Sequence, residues 1–448
     1  MKHATQKQTY NLWTAIAMIV GIVIGSGIYF KADDILNFTG GHVGLGMLVI
    51  TLGSLSVTFG SLSLSELAQR NTESGGLSSY FEDYIHPGLA ATLGMFAAYL
   101  YFPTVIAVVA WVAALYTFIL LGMTVSLGTQ VLLGMVYVVL IAAINIFSRV
   151  LGGYFQTLST TIKVIPLIVI GLVGIFWASA QPTIPAQFET VLPRDVGWGW
   201  MAGLVPLAFA FDGWTAVTSI APEIKDPKKN LPRAFIIGPM LILALYLLFF
   251  YGMTRILGSS FIMSTGNEAV TYAGVAIFGP WIGKLLLFIV IISVLGVVNG
   301  MLLATMRLPQ AFAARNWIKS EKMAKIDLKY QLSIPAALSV TGVVLFYLIV
   351  HYVVQSQGLL PGTDISEITI VFNNFSINLL HVVVLRLYVK GEITNRLTGL
   401  VAPVIAMAGS LMIFVGSFIN NPIMVGFFQL FCVVFCLVSY SIYKKNTQ

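Results

Sequence analysis

The chain has 448 residues, 58% of them hydrophobic and only 9% charged, with a mean hydropathy of +0.91. Those proportions exclude a soluble globular domain and leave a polytopic membrane protein. The net charge of +7 does not argue for a nucleic-acid partner, because it comes from an uneven sidedness of Lys and Arg.

In chain order, apolar segments predict twelve transmembrane helices near residues 12–36, 43–67, 88–121, 126–147, 153–178, 200–221, 234–257, 278–306, 333–354, 366–388, 399–419 and 424–443. Each is long enough for a hydrocarbon core about 30 Å thick. The third and eighth are long and are expected to tilt. The polar stretch 308–332 is expected to hold a short interfacial helix, and no loop could fold separately, so 1–448 reads as one transmembrane domain. The first segment lacks a small-residue cleavage site and is too long for a signal peptide, so it is expected to stay.

Charge orients these segments. With the N-terminus inside, nineteen Lys and Arg fall on the cytoplasmic side; only Lys31, Arg194, Arg255 and Lys284 fall outside, and Lys163 lies within the membrane. The positive-inside rule then puts both termini in the cytoplasm of a multi-pass plasma-membrane protein. Cys432 and Cys436, one helical turn apart in the last segment, read as packing residues.

The first segment is interrupted at mid-depth by Gly25-Ser26-Gly27, within Val20 to Tyr29. Unpaired backbone in lipid costs several kcal/mol, so such a break is tolerated only against a protein cavity. The second half-helix would aim its amides at an anion. This predicts a transporter site for a small solute carrying a carboxylate.

A second break is expected in the sixth segment, at Leu207-Ala208-Phe209-Ala210-Phe211-Asp212-Gly213-Trp214. Asp212 sits near the membrane centre, where an Asp costs on the order of 3 kcal/mol without water or a partner. It reads either as a satisfied Asp at a kink or as part of the site. The interrupted segments are the first and the sixth, and five is odd. Residues 12–178 and 200–388 therefore read as inverted five-helix repeats, with 399–443 left over as helices 11 and 12.

Lys163 lies about 15 Å into the fifth segment at 1.5 Å per residue, too deep to snorkel with ease. It reads as a fixed cation bracing the broken first helix, or as a proton carrier. Asn299-Gly300 in the eighth segment could pack or line the site. Glu66 and His381 read as structural, and Asp33 and Asp34 as lining a solvated outer vestibule.

Taken in order, Gly25-Ser26-Gly27-Ile28, Phe209 to Trp214, and Glu223-Ile224-Lys225-Asp226-Pro227 through Leu231-Pro232-Arg233-Ala234 resemble the amino acid–polyamine–organocation superfamily. The chain is most similar to its bacterial L-type amino acid transporters, including the serine/threonine exchanger branch. The resemblance spans Leu12 to about Leu387. It departs where Tyr29-Phe30-Lys31-Ala32 follows the first motif in place of the family's frequent proline.

The resemblance implies an all-α LeuT-type fold and a residue-level site. The substrate carboxylate would meet amides of Ser26, Gly27 and Ile28, beside Gly25. Its ammonium would meet carbonyls of Val23, Phe209 and Ala210, with Asp212 and Phe211 near. Phe209 would close as a lid, Lys163 would stand where sodium-coupled relatives hold an ion, and Asn299 would complete the site.

The expected function is sodium-independent alternating-access transport of L-amino acids, as exchange of small or medium neutral ones. The alternatives are proton-coupled symport and cationic amino acid or polyamine exchange, with Asp212 reading a distal ammonium. No catalytic pair, cofactor, metal site or partner subunit is evident. A membrane enzyme and an amino acid sensor without turnover are the weaker classes.

Overall fold

A computed structural model describes residues 11–447, apart from 26, 71–76, 149–154, 156–157, 160, 216–223 and 331. Among the described residues there is one isolated bridge, Asp327 with Leu332, and no strand. Lipid cannot hydrogen-bond backbone, so an apolar chain of this kind pairs its amides within helices.

The helices are α1 Leu12–Val23, α2 Gly27–Phe38, α3 Val43–Arg70, α4 Leu77–Tyr84, α5 Pro87–Leu121 and α6 Leu127–Phe147. Then come α7 Val164–Ile175, α8 Leu204–Ala210, α9 Pro227–Leu257, α10 Ser259–Thr265 and α11 Ala269–Thr305. The chain finishes with α12 Leu308–Ala314, α13 Glu321–Ala324, α14 Ile334–Ser356, α15 Ile365–Val389, α16 Ala402–Asn420 and α17 Pro422–Thr447.

Nine spans among the described residues are long and apolar enough to cross a membrane, or ten with α1 and α2 taken together across their 55° bend. The chain is a multi-pass membrane protein. The fifth and sixth expected segments run through residues outside the described set, and α7 and the stretch Gly197–Ala210 are the shorter apolar helices described within them.

Local sequence explains the main irregularities. Gly279 adopts φ 77° ahead of Pro280, which kinks α11 where the eighth segment was expected to begin. The polar stretch after α11 holds two short helices, α12 and α13, rather than one. A π-helical turn at Ala97–Tyr101 lies inside α5. Such turns are rare and concentrate at functional sites.

α9 packs against α1, α3 and α7, while α8 packs against α2, α3, α15 and α16. The two interrupted stretches therefore meet near the middle of the bundle.

Candidate functional site

The first interruption is as the sequence predicts. α1 ends at Val23, Ile24 is extended with ψ 108°, and α2 begins at Gly27. At a helix end the last carbonyls and the first amides lack partners within their own helix, so the ends of α1 and α2 leave such groups at the break. They carry the negative and positive ends of two helix dipoles. Ser26 lies outside the described residues.

The second interruption follows α8, where Phe211, Asp212 and Gly213 form a turn and Gly213 takes φ 89°. The two breaks touch. A Cβ on Gly27 would stand 2.4 Å from the Ala210 Cα, and one on Gly213 would stand 2.9 Å from the Ile22 Cγ2. Glycine is needed at these two positions for close approach, and at Gly213 also for its left-handed backbone.

α11 closes the first break from another side: a Cβ on Gly25 would meet the Val297 Cγ2 at 2.4 Å. Asn299 is two residues further along α11 and buried. Val297 thus supplies the described contact between that helix and the break.

Three side chains hold the broken backbone. The Lys163 ammonium, fully buried at the N-cap position of α7, donates to the carbonyl of Gly21 in the last turn of α1. A cation at a helix C-terminus satisfies an orphan carbonyl and complements the dipole. Tyr29 of α2 donates to the Lys163 carbonyl at 2.8 Å, returning the tie to the other half-helix. Tyr246 of α9 donates to the Ala210 carbonyl at 2.7 Å and stands 3.4 Å from that of Val23. One hydroxyl so bridges the ends of α1 and α8.

Asp212 is not exposed to solvent. Its Oδ1 accepts from the Tyr101 hydroxyl at 2.6 Å, and its Oδ2 has no side-chain donor. Tyr101 is the last residue of the π-helical turn in α5, which sets its side chain out of ordinary helical register.

The two phenylalanines take different places. Phe209 lies 6.5 Å from the Phe30 ring, and the Lys31 ammonium is 5.3 Å above its face. Phe211 packs 4.9 Å from the Tyr246 ring and lines an enclosed space shared with Trp214 and His381. Val23, Ile28, Phe209, Ala210 and Asp212 are all buried, so the two breaks are closed from solvent.

Lys31, counted among the outer-side charges, is 2% exposed and carries three ion pairs, to Asp34 at 3.4 Å, Asp364 at 3.0 Å and Glu367 at 2.7 Å. Asp34 is an ion-pair partner of Lys31 and, with Asp33, also lines a cavity of about 130 Å³. Glu66 and His381 do have structural ties, to Arg70 and Thr398 and to Ser63. Among the described residues no group of His, Cys, Asp and Glu could hold a metal.

Sequence reasoning missed Tyr29, Tyr101, Tyr246 and the Lys31 cluster. An intramembrane Lys within reach of acidic residues was the available signal for the last; a buried tyrosine gives none until its partner helix is known.

Two touching helix breaks inside a multi-pass bundle, held by a buried lysine, are the kind of interruption found in membrane transporters. The comparisons give the chain's family. A family model described as amino acid permease matches residues 10–447, and the chain belongs to that family, in its L-type-like branch. The serine/threonine exchanger SteT of Bacillus subtilis is 26% identical over 445 residues, covering 98% of each chain. Human large neutral amino acids transporter small subunit 2 is 30% identical over 346 residues, 74% of this chain and 62% of its own. Mouse Asc-type amino acid transporter 1 is 27% identical over 443 residues, 94% and 78%.

Proposed function

We propose that this protein exchanges L-amino acids across the plasma membrane by alternating access, without sodium, and prefers small or medium neutral ones. The observation that carries the reading is the meeting of two helix breaks at Gly27 and Ala210. Backbone amides of Ser26, Gly27 and Ile28 suit a carboxylate, and carbonyls near Val23 and Phe209 suit an ammonium. Those are the groups every α-amino acid shares. Phe209 is the lid, and Lys163 serves as a fixed cation in place of a coupling ion.

In this reading the architecture is of the LeuT type, with twelve spans, both termini cytoplasmic, and inverted repeats at 12–178 and 200–388 followed by 399–443. The relatives that are exchangers or amino acid transporters by name support it.

A second reading, exchange of cationic amino acids, is favoured by one observation: the buried Oδ2 of Asp212 has no side-chain donor. Counterflow in proteoliposomes against the twenty amino acids, with and without internal substrate, tests both. Neutral amino acids should drive counterflow, external sodium should not change it, and empty liposomes should show little uptake. Binding without flux would reduce the protein to a sensor.

A further inference from the structure

The polar stretch between α11 and α14 ends in a tight hairpin. Asp327 and Leu332 pair across it, with the Asp327 amide donating to the Leu332 carbonyl at 3.0 Å. The Asp327 carboxylate fixes the turn by accepting from the amides of Lys329 at 2.8 Å and Tyr330 at 3.1 Å. We infer that this hairpin, together with α13, is a docking site for anionic phospholipid. Leu328 and Ile326 enter the bilayer interface, and Lys319, Lys322, Lys325 and Lys329 hold lipid phosphates.

A ring contact sets the depth. The Tyr330 ring meets that of Phe147 edge-on at 5.6 Å. Phe147 is exposed, and it is the last residue of α6, a helix long and apolar enough to cross a membrane. α14, another such helix, begins at Ile334, two residues after the hairpin closes. The hairpin therefore lies where membrane-crossing helices end, at the level of the lipid headgroups. In the orientation proposed above that is the cytoplasmic leaflet.

Two kinds of side chain meet there. Leu328 is 85% exposed in the turn and Ile326 is 50% exposed beside it. A large aliphatic side chain held outward by a fixed turn gains by entering the boundary of the acyl chains. The four lysines are exposed, and among the described residues none of them is in an ion pair. Arg315, by contrast, is held by Glu82 at 3.0 Å. From Lys319 to Tyr330 the acidic residues are Glu321 and Asp327, and Asp327 is turned onto the hairpin's own amides. The Lys329 ammonium lies 5.0 Å over the Tyr330 ring, the same ring that marks the depth. Basic residues just beyond a membrane span attract anionic headgroups, and their apolar stems let the ammonium reach the phosphates. A soluble polyanion would use the lysines but not Leu328 and Ile326. A lipid uses both.

The test uses full-length protein in nanodiscs, with Cys432→Ala and Cys436→Ala to remove the native thiols. Leu328→Cys then carries a bimane fluorophore, and brominated phosphatidylglycerol or brominated phosphatidylcholine is supplied at equal fraction as quencher. The quenching constant for phosphatidylglycerol should be at least about fivefold the larger, the enrichment that roughly one lysine beside an anionic surface brings. High salt should shrink the difference. Lys319→Gln, Lys322→Gln, Lys325→Gln and Lys329→Gln together should bring the two constants to within about twofold.

Lys325→Gln with Lys329→Gln carries the test if the fourfold variant does not fold, and should remove about half of the excess or more. Equal quenching by the two lipids with all four lysines present, or an excess that survives their replacement, would overturn the inference. Absence of quenching by either lipid would put the hairpin in water, as a surface for a soluble partner, and would overturn it equally. Inorganic phosphate that abolishes the excess where chloride at the same ionic strength does not would make the lysines a site for a soluble anion instead. None of these readouts needs transport, so a protein that moves no amino acid would leave the lipid site standing.

Discussion

The ammonium of Lys163 donates to the carbonyl of Gly21, so a side chain on α7 closes the last turn of α1 just before the first break. With Tyr29 donating to the Lys163 carbonyl, both halves of the broken helix are tied to one residue. This geometry supports the proposed role of Lys163 as a fixed brace. Lys163→Met should reduce exchange at least about tenfold, since a buried carbonyl loses a charged partner and the break loses its hold. Added sodium should restore nothing, and wild-type uptake should not acidify a liposome lumen carrying a pH dye. Substrate-driven acidification that vanishes in Lys163→Met would establish a proton carrier instead.

Gly27 permits the approach of α2 to α8. A single methyl there would lie 2.4 Å from a backbone carbon of Ala210. Forced overpacking typically costs about 1–3 kcal/mol. Gly27→Ala should therefore abolish measurable substrate binding in scintillation proximity assays while the protein still purifies as a single species. Gly44 in α3 has open space around its Cβ position, so Gly44→Ala is the control and should bind normally. Normal affinity in Gly27→Ala would refute the placement of the site.

Tyr246 joins the ends of α1 and α8 by one hydroxyl. Tyr246→Phe removes a hydrogen bond worth about 1 kcal/mol net, equivalent to roughly fivefold in affinity. The half-saturation constant for exchange should rise by that amount with little loss of maximal rate. An unchanged constant would mean that the Ala210 carbonyl finds another donor at no expense to binding.

The broken first helix was legible because a Gly-Ser-Gly run in an apolar segment has few explanations, and Gly213 marked the second break by the same logic. Lys163 was legible from depth alone. Tyr246 and Tyr101 were not: each is one aromatic among 18 tyrosines, and its role depends on which carbonyl or carboxylate another helix delivers. The ion-pair cluster of Lys31 was not legible, because charge counting assigns a cation to a side of the membrane and says nothing of its partners. Its burial depends on Asp364 and Glu367, more than three hundred residues away, which no local pattern connects to it.

Phe209, the lid of the proposed function, packs with Phe30 and under Lys31. Phe209→Ala should leave the thermal unfolding temperature within a few degrees of the wild type. It should still cut the initial exchange rate about tenfold or more, because an unsealed site admits water and does not commit its substrate. Matched incorporation into liposomes makes the comparison. An unaltered rate would mark Phe209 as ordinary packing.

Asp212 is half satisfied: Tyr101 occupies Oδ1, while Oδ2 has no side-chain donor. In the cationic-substrate reading, the tyrosine hydroxyl offsets part of the carboxylate's charge and so weakens its hold on a second ammonium. Tyr101→Phe should therefore raise lysine exchange relative to serine exchange by about fivefold or more, since a charge-assisted hydrogen bond contributes roughly 1.5–3 kcal/mol. Asp212→Asn should move the ratio the other way, losing lysine exchange far more than serine exchange. Paired counterflow measurements with the two labelled amino acids give the ratio directly, independent of protein yield. If both variants lower the two activities in equal proportion, the Tyr101–Asp212 contact is a structural tie between α5 and the turn after α8, and selectivity must come from other side chains around the breaks.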